Sequence, residues 1–368
     1  TMTTGFYWDE RCFWHGGGNY AGMLPVGGLV QPAANGGLPE NPETKRRLKN
    51  LMDVTGLTKE LRLASAEPAT REELLRVHPA SYLDKFKALS DAQGGELGRR
   101  TPFGPGGYEI ATLSAGIARD ALFAVLEGEV DNAYALSRPP GHHCLPDFPN
   151  GFCLLANIAI AIRAAQAAGL AQRVAVLDWD VHHGNGTEAI FYEDPDVLTI
   201  SMHQDRNYPM DSGFFSDRGK GAGLGTNLNI PLPPGCGHVS YLEAMDRLAL
   251  PAIRAFKPDV LIIACGYDAA GNDPLARMLC HQESFRQMTR RVLDLSAEIC
   301  GGRLVVVHEG GYSEVYVPFL GHEVIAEMAG SETRAPDPFG DIWAQRQPDA
   351  RFDAFVSGLI SDMETALG

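Results

Sequence analysis

Residues 173–186 read RVAVLDWDVHHGNG, and this stretch decides the fold. Four apolar residues, Val174 to Leu177, run directly into Asp178, Asp180, His182 and His183. The run does not alternate with polar residues, so it reads as a strand buried on both faces, the mark of a parallel sheet. Carboxylates and imidazoles at the end of such a strand are costly to bury unless something compensates them. The identity of that partner is the first functional question.

Similar runs lie on either side: NAYAL (132–136), DVLTISM (196–202), DVLIIACG (259–266) and RLVVVHEGG (303–311), with NLNIP (227–231) as a further strand. Helical patterns fall between them at 107–128, 153–169, 239–257 and 281–300. Strands alternating with helices predict a parallel α/β sandwich. No repeat or low-complexity linker divides the 368 residues, so one domain spanning 1–368 is expected. Ligands of such sheets bind beyond the carboxyl ends of the strands. The polar stretches stand at those ends: RPPGHH (138–143), DWDVHHGNG (178–186), SMH (201–203), GYDAAGNDP (266–274) and HEGGY (308–312). Five strand ends are expected to converge on one cleft.

Composition excludes several classes. A net charge of -15 argues against binding a phosphate backbone. The basic TKRR (44–47) is too short to reverse this and reads as a solvated helix face with one arginine turned inward. The seven cysteines form no CxxC pair and read as buried free thiols of a reducing compartment. No apolar run reaches membrane-spanning length and no signal-peptide pattern opens the chain, so a cytoplasmic protein without a membrane partner is expected. NGT at Asn185 matches a glycosylation sequon but falls inside the polar constellation and is rejected. GKGAGLG (219–225) lacks the GK[ST] ending of a phosphate loop, and HEVIA (322–326) lacks the second His of a zincin.

A D-x-H pair, Asp180 and His182, can present two ligands to one side of a strand end, and Asp268 can add a third. Three ligands with an open position describe a catalytic zinc site; the bland alternative is a buried Asp–His ion pair. The PPG turn can aim both His142 and His143 into the cleft, where a hydrolase needs a base for water and an acid for the leaving amine. Tyr312, after two glycines, can donate to a developing oxyanion, or can simply pack over a turn.

Together these stretches, with NPETKRRL (41–48), VHPASYL (77–83) and NGFCLLAN (150–157), resemble the arginase–deacetylase superfamily, specifically class II histone deacetylases and their bacterial amidohydrolase relatives. The resemblance implies an open, mostly parallel eight-stranded sheet flanked by helices, with long loops around a narrow tunnel. It implies one zinc ion on Asp180, His182 and Asp268, and hydrolysis of an acylated amine. His143 is implied as general base and then acid, with His142 as its electrostatic partner. Asp178 would orient His142 and Asn185 would orient His143. Phe152 and Tyr208 would wall the acyl channel, Tyr208 standing where the family usually has Phe. Gly151 would offer its carbonyl. One or two structural potassium ions are implied: one at Asp178, Ser201 and Met202 with backbone oxygens of Asp180 and His182, the other at backbone oxygens of Phe191, Asp194, Val197 and Thr226.

The expected substrate is an acylated-lysine peptide or a small acylated amine. An acetylpolyamine amidohydrolase is the alternative. Polyamine-specialised relatives carry an acid just after the DP motif, where this chain has Leu275; Glu96 or Asp205 could supply the charge from elsewhere. A catalytically weak acyl-lysine-binding protein is the alternative from another class, and the presence of Tyr312 speaks against it. A binuclear manganese ureohydrolase would need carboxylates where Gly184 and Ala270 stand. A homo-oligomer, dimer or tetramer, is also expected, with the Gly-rich segment 14–37 at the tunnel mouth or a subunit contact.

Overall fold

The computed structural model describes residues 2–16, 20–21, 24–34 and 37–368. Its centre is one sheet of eight strands: β1 (Thr4–Tyr7), β2 (Arg62–Ala64), β3 (Asn132–Ala135), β4 (Val174–Asp178), β5 (Val197–Gln204), β6 (Asn227–Leu232), β7 (Val260–Cys265) and β8 (Leu304–His308). Their order is β2-β1-β3-β8-β7-β4-β5-β6, and every pairing is parallel.

The uninterrupted apolar runs explain the layering. Successive side chains of a strand point to opposite faces. In β4, Ala175 and Leu177 enter one core while Val174 and Val176 enter the other. Leu261 and Ile263 of β7 part from Val260 and Ile262 in the same way. One face is covered by α1 (Glu43–Thr55), α4 (Gln282–Cys300) and α5 (Val317–Ala329), the other by α2 (Gly107–Leu126) and α3 (Asn157–Ala167). Parallel strands need such crossovers, which is why both faces are buried.

The five runs that read as strands are the five adjacent central ones, β3, β8, β7, β4 and β5. The two strands not anticipated, β1 and β2, are only four and three residues long. Strands that short show no period. β2 is also an edge strand with Arg62 and Leu63 exposed, so nothing in it advertises burial.

The TKRR segment opens α1, but the inward cation is Lys45 rather than an arginine. Lys45 is 2% exposed, with its ammonium 4.0 Å from Glu40, while Arg47 is exposed. Helical phase decides this: Lys45 shares a face with Leu48, Lys49 and Met52, all buried. All seven cysteines are buried and unpaired. Among the described residues no helix is long and apolar enough to cross a membrane. Of the segment 14–37, residues 17–19, 22–23 and 35–36 lie outside the described residues. Its described part docks through Gly16, whose carbonyl accepts the Gly104 amide at 2.7 Å, and through buried Val26.

Candidate active site

The five central strands end side by side, so the residues that follow them meet. β3 leads to His142 and His143, β4 to Asp178 through Asn185, β5 to Tyr208, β7 to Asp268 and Leu275, and β8 to Tyr312. His143, Gly151, Phe152, His182, Tyr208, Leu275 and Tyr312, with Arg100 and Asn207, line a cavity of about 100 Å³. Phe152 and Tyr208 both stand in its wall. Phe152 holds a left-handed backbone, φ 69°, fixed by its amide bonding to the Arg100 carbonyl at 2.9 Å. Such a conformation is costly for a bulky residue and persists where the surroundings impose it.

At the floor, Asp180, His182 and Asp268 offer ligand atoms within 4.8 Å of one another, and all three residues are buried. His182 Nδ1 lies 3.2 Å from Asp180 Oδ1 and 3.1 Å from Asp268 Oδ2. Burial disfavours the His182 imidazolium, but the bonds to both carboxylates outweigh it and raise its pKa to about 10. Burial and the charge of Asp180 push Asp268 upward. Two buried carboxylates facing one imidazole thus demand a positive charge between them. The donor set, two oxygens and one nitrogen, fits a divalent cation such as zinc.

The carboxylates are aimed by backbone. Asp180 Oδ2 accepts the Gly310 amide at 2.8 Å and Asp268 Oδ1 accepts the Val181 amide at 2.8 Å. A Cβ on Gly310 would come within 2.6 Å of oxygens of both Asp180 and Asp268, so only glycine fits beneath the triad. At Gly184 a Cβ would sit 2.3 Å from Asp178 Oδ2, which leaves no room for the extra carboxylate of a binuclear site.

Two histidines stand beside the triad with ring centroids 4.0 Å apart. His142 Nδ1 lies 2.8 Å from Asp178 Oδ2, and its Nε2 is 3.7 Å from Asp180 Oδ2. Burial would lower its pKa, but Asp178 and Asp180 overcome this and hold it well above the usual imidazole range. His143 Nδ1 lies 2.8 Å from Asn185 Oδ1, a neutral partner. Burial, then the charges of His142 and His182, press its pKa well below the usual range. The Tyr312 phenol packs edge-on to Phe152, and burial followed by Asp268 and Asp180 raises its pKa well above the ordinary phenol value.

Asp178 and Ser201 are register partners on β4 and β5. Asp178 Oδ1 accepts the Asp180 amide at 3.0 Å, and Ser201 Oγ lies 2.8 Å from His203 Nδ1. Met202 continues β5 and is buried. Among the residues expected to hold a second cation, Thr226 Oγ1 donates to the Asp194 carbonyl at 3.1 Å, Phe191 O accepts the Asp194 amide at 3.0 Å, and Val197 opens β5. Leu275 stands at the channel, whereas Glu96 and Asp205 do not line it. Glu96 accepts the Thr101 amide and Asp205 pairs with Arg206.

Sequence reasoning passed over three residues. Glu309 is 1% exposed and accepts the Gly141 and His142 amides at 2.9 and 3.2 Å, fixing the turn that presents both histidines. Asp273 accepts the Tyr312 amide through Oδ2 and the Leu275 amide through Oδ1, at 3.0 and 2.7 Å. Asn150 Oδ1 receives the Tyr208 phenol proton at 2.5 Å. A carboxyl directly after a buried strand was the available signal for Glu309; Asp273 and Asn150 depend on contacts between separate loops.

The histone deacetylase domain family matches residues 38–328. A histone deacetylase-like amidohydrolase of Pseudomonas aeruginosa is 57% identical over 368 residues, covering 100% of this chain and 97% of the relative. A probable deacetylase of Archaeoglobus fulgidus is 39% identical, covering 84% and 88%, and Arabidopsis thaliana histone deacetylase 8 is 34% identical, covering 85% and 86%. The crystal structure of the HDA15 HD domain superposes with a TM-score of 0.82 at 31% identity, over 100% of this chain and 96% of that one. The sheet, the buried triad and the matched length together make this chain a member of the histone deacetylase family.

Proposed function

We propose that the protein is a zinc-dependent amidohydrolase that removes acetyl or other small acyl groups from the ε-amine of lysine or a similar amine. The observation that carries this is the Asp180–His182–Asp268 triad at the floor of a channel lined by His143 and Tyr312. Zinc held by these three residues would polarise the acyl carbonyl and acidify a water.

The chain's own residues account for the rest. Because Asn185 Oδ1 only accepts, His143 Nδ1 carries its proton and Nε2 keeps a lone pair for the attacking water's proton. His143 then returns that proton to the leaving nitrogen, so water and amide become a carboxylate and an ammonium. His142, paired with Asp178, holds positive charge against this centre. Tyr312 stays protonated at neutral pH and donates to the oxygen that gains charge. Phe152 and Tyr208 enclose the aliphatic stem, and the Gly151 carbonyl is offered to the substrate amide.

Potassium at Asp178, Ser201 and Met202, with backbone oxygens of Asp180 and His182, would steady the β4 and β5 ends; the register pairing of Asp178 and Ser201 supports it. A second ion at Phe191, Asp194, Val197 and Thr226 would do the same for the following loop. The chain acts as one catalytic domain, and its buried free thiols fit the cytoplasm. Leu275 in the channel wall favours acyl-lysine over acetylpolyamine.

The test is release of acetate from a fluorogenic acetyl-lysine peptide. Activity lost to a chelator and restored by zinc is the expected result. Turnover that ignores chelation, or binding without turnover by the zinc-loaded protein, would overturn the proposal.

A further inference from the structure

Among the described residues, Arg100 is the one permanently charged side chain in the channel wall, and the carboxylates of Asp180 and Asp268 lie beneath it at the floor. Its placement is built. The Arg100 carbonyl accepts the Phe152 amide and the Arg99 carbonyl accepts the Gly151 amide, each at 2.9 Å. The backbone of Arg100 turns there through φ 57°, a left-handed conformation rarely taken by arginine. From that anchor on the Phe152 wall, the guanidinium reaches across to lie 5.6 Å from the centre of the Tyr208 ring on the other wall. Tyr208 is itself tied by its phenol to Asn150 at 2.5 Å, so the ring under the guanidinium is held in place. A Phe at this position would lack that tether.

The charge is left unanswered. Arg206, also near the mouth, is paired with Asp205 at 3.3 Å, but Arg99, Arg100 and Arg277 make no ion pair among the described residues. Glu96, in the same loop as Arg100, is occupied by the Thr101 amide at 3.1 Å. A protein of net charge -15 thus keeps an unpaired cation at the entrance to its buried centre. Guanidinium recognises carboxylate in a planar, two-bond geometry and repels ammonium.

We propose that Arg100 is a specificity-determining residue that selects acylated amines carrying a carboxylate just outside the channel. This rests on the amidohydrolase reading above and narrows its substrate class. The carboxylate has two possible sources, an acidic residue beside the acyl-lysine in a peptide or the free α-carboxylate of an acyl amino acid. A second ammonium, as in an acylated polyamine, is disfavoured by the same charge. The contact lies away from the reacting atoms and is made alike in the ground and transition states, so the preference belongs in KM.

The experiment compares kcat and KM of the zinc-loaded protein on acetyl-lysine peptides of equal length flanked by Asp, by Gly or by Lys, and on Nε-acetyl-lysine against its carboxamide. Wild type should prefer the Asp-flanked peptide over the Lys-flanked one by roughly three- to tenfold in kcat/KM at low salt, shrinking at high salt. Preference confined to free Nε-acetyl-lysine would assign the amino acid as the source; preference among the peptides would assign the acidic flank. In Arg100→Gln the acidic-to-neutral ratio should fall to about one, and in Arg100→Glu the order should reverse. Ratios within one variant cancel any loss of folded protein. Arg277→Gln, which removes a neighbouring unpaired cation outside the channel, should retain the preference. If wild type cleaves the Gly-flanked peptide but shows no charge order, or if Arg100→Gln keeps it, this inference is wrong while the amidohydrolase reading stands. If no acylated substrate is cleaved, both fall.

Discussion

His142 Nδ1 and Asp178 Oδ2 lie 2.8 Å apart, while the adjacent His143 reaches Asn185 Oδ1 at the same 2.8 Å. Two neighbouring imidazoles are thus given partners of different charge. A carboxylate stabilises the imidazolium, and a neutral amide does not. One ring is held cationic and the other neutral, so two groups of one chemical type take two roles.

Asp178→Asn should therefore be more damaging than Asn185→Ala. The first removes the charge that holds His142 protonated; the second loosens a ring that remains neutral. Losses of roughly 10–100-fold in kcat/KM are expected for the weaker of such changes, and more for Asp178→Asn. Equal, small effects on kcat/KM and on thermal stability would contradict the division of roles.

Tyr312→Phe should fold, bind metal and hold a hydroxamate, yet lose about 10²–10³ in kcat. The hydroxyl is needed when charge develops on the carbonyl oxygen, not when the substrate merely sits in the channel. Near-normal kcat would reduce Tyr312 to a packing residue.

Metal analysis should find about one divalent ion per active site, since among the described residues only one three-ligand cluster exists. Asp268→Ala should abolish tight binding. Two ions required for activity would refute this, and the 2.3 Å clash at Gly184 explains why a second is not expected.

Acid should destabilise the fold partly through His78. Its Nδ1 donates to the Pro146 carbonyl at 2.7 Å and its Nε2 accepts the Ala156 amide at 3.0 Å, which together require a neutral ring. Burial lowers its pKa to about 4. The unfolded chain binds that proton near pH 6.5, so the contribution is complete above this pH and is lost as pH falls toward 4. The shift corresponds to about 3 kcal/mol. Thermal melts from pH 7 to pH 4 should show a falling Tm, with a shallower slope in His78→Gln; identical slopes would exclude His78 as a cause.

The central sheet and most of the candidate site were legible in the sequence. Continuous apolar runs such as Val174–Leu177 can be accommodated only between two layers, and the motifs that follow them carry their own spacing. Asp180, His182, Asp268, His142, His143 and Tyr312 were legible because each stands at the end of such a run. Tertiary structure alone decided what those runs do to one another. The order β3-β8-β7-β4-β5, which brings residues 143 and 312 to one cavity, depends on crossovers that no local pattern encodes. The same holds for Glu309 under the His142 turn, for Asp273 under the Tyr312 amide, and for Arg100 over Tyr208. Each of these is a contact between loops far apart in the chain, and its energy exists only once the sheet has set the distance between them.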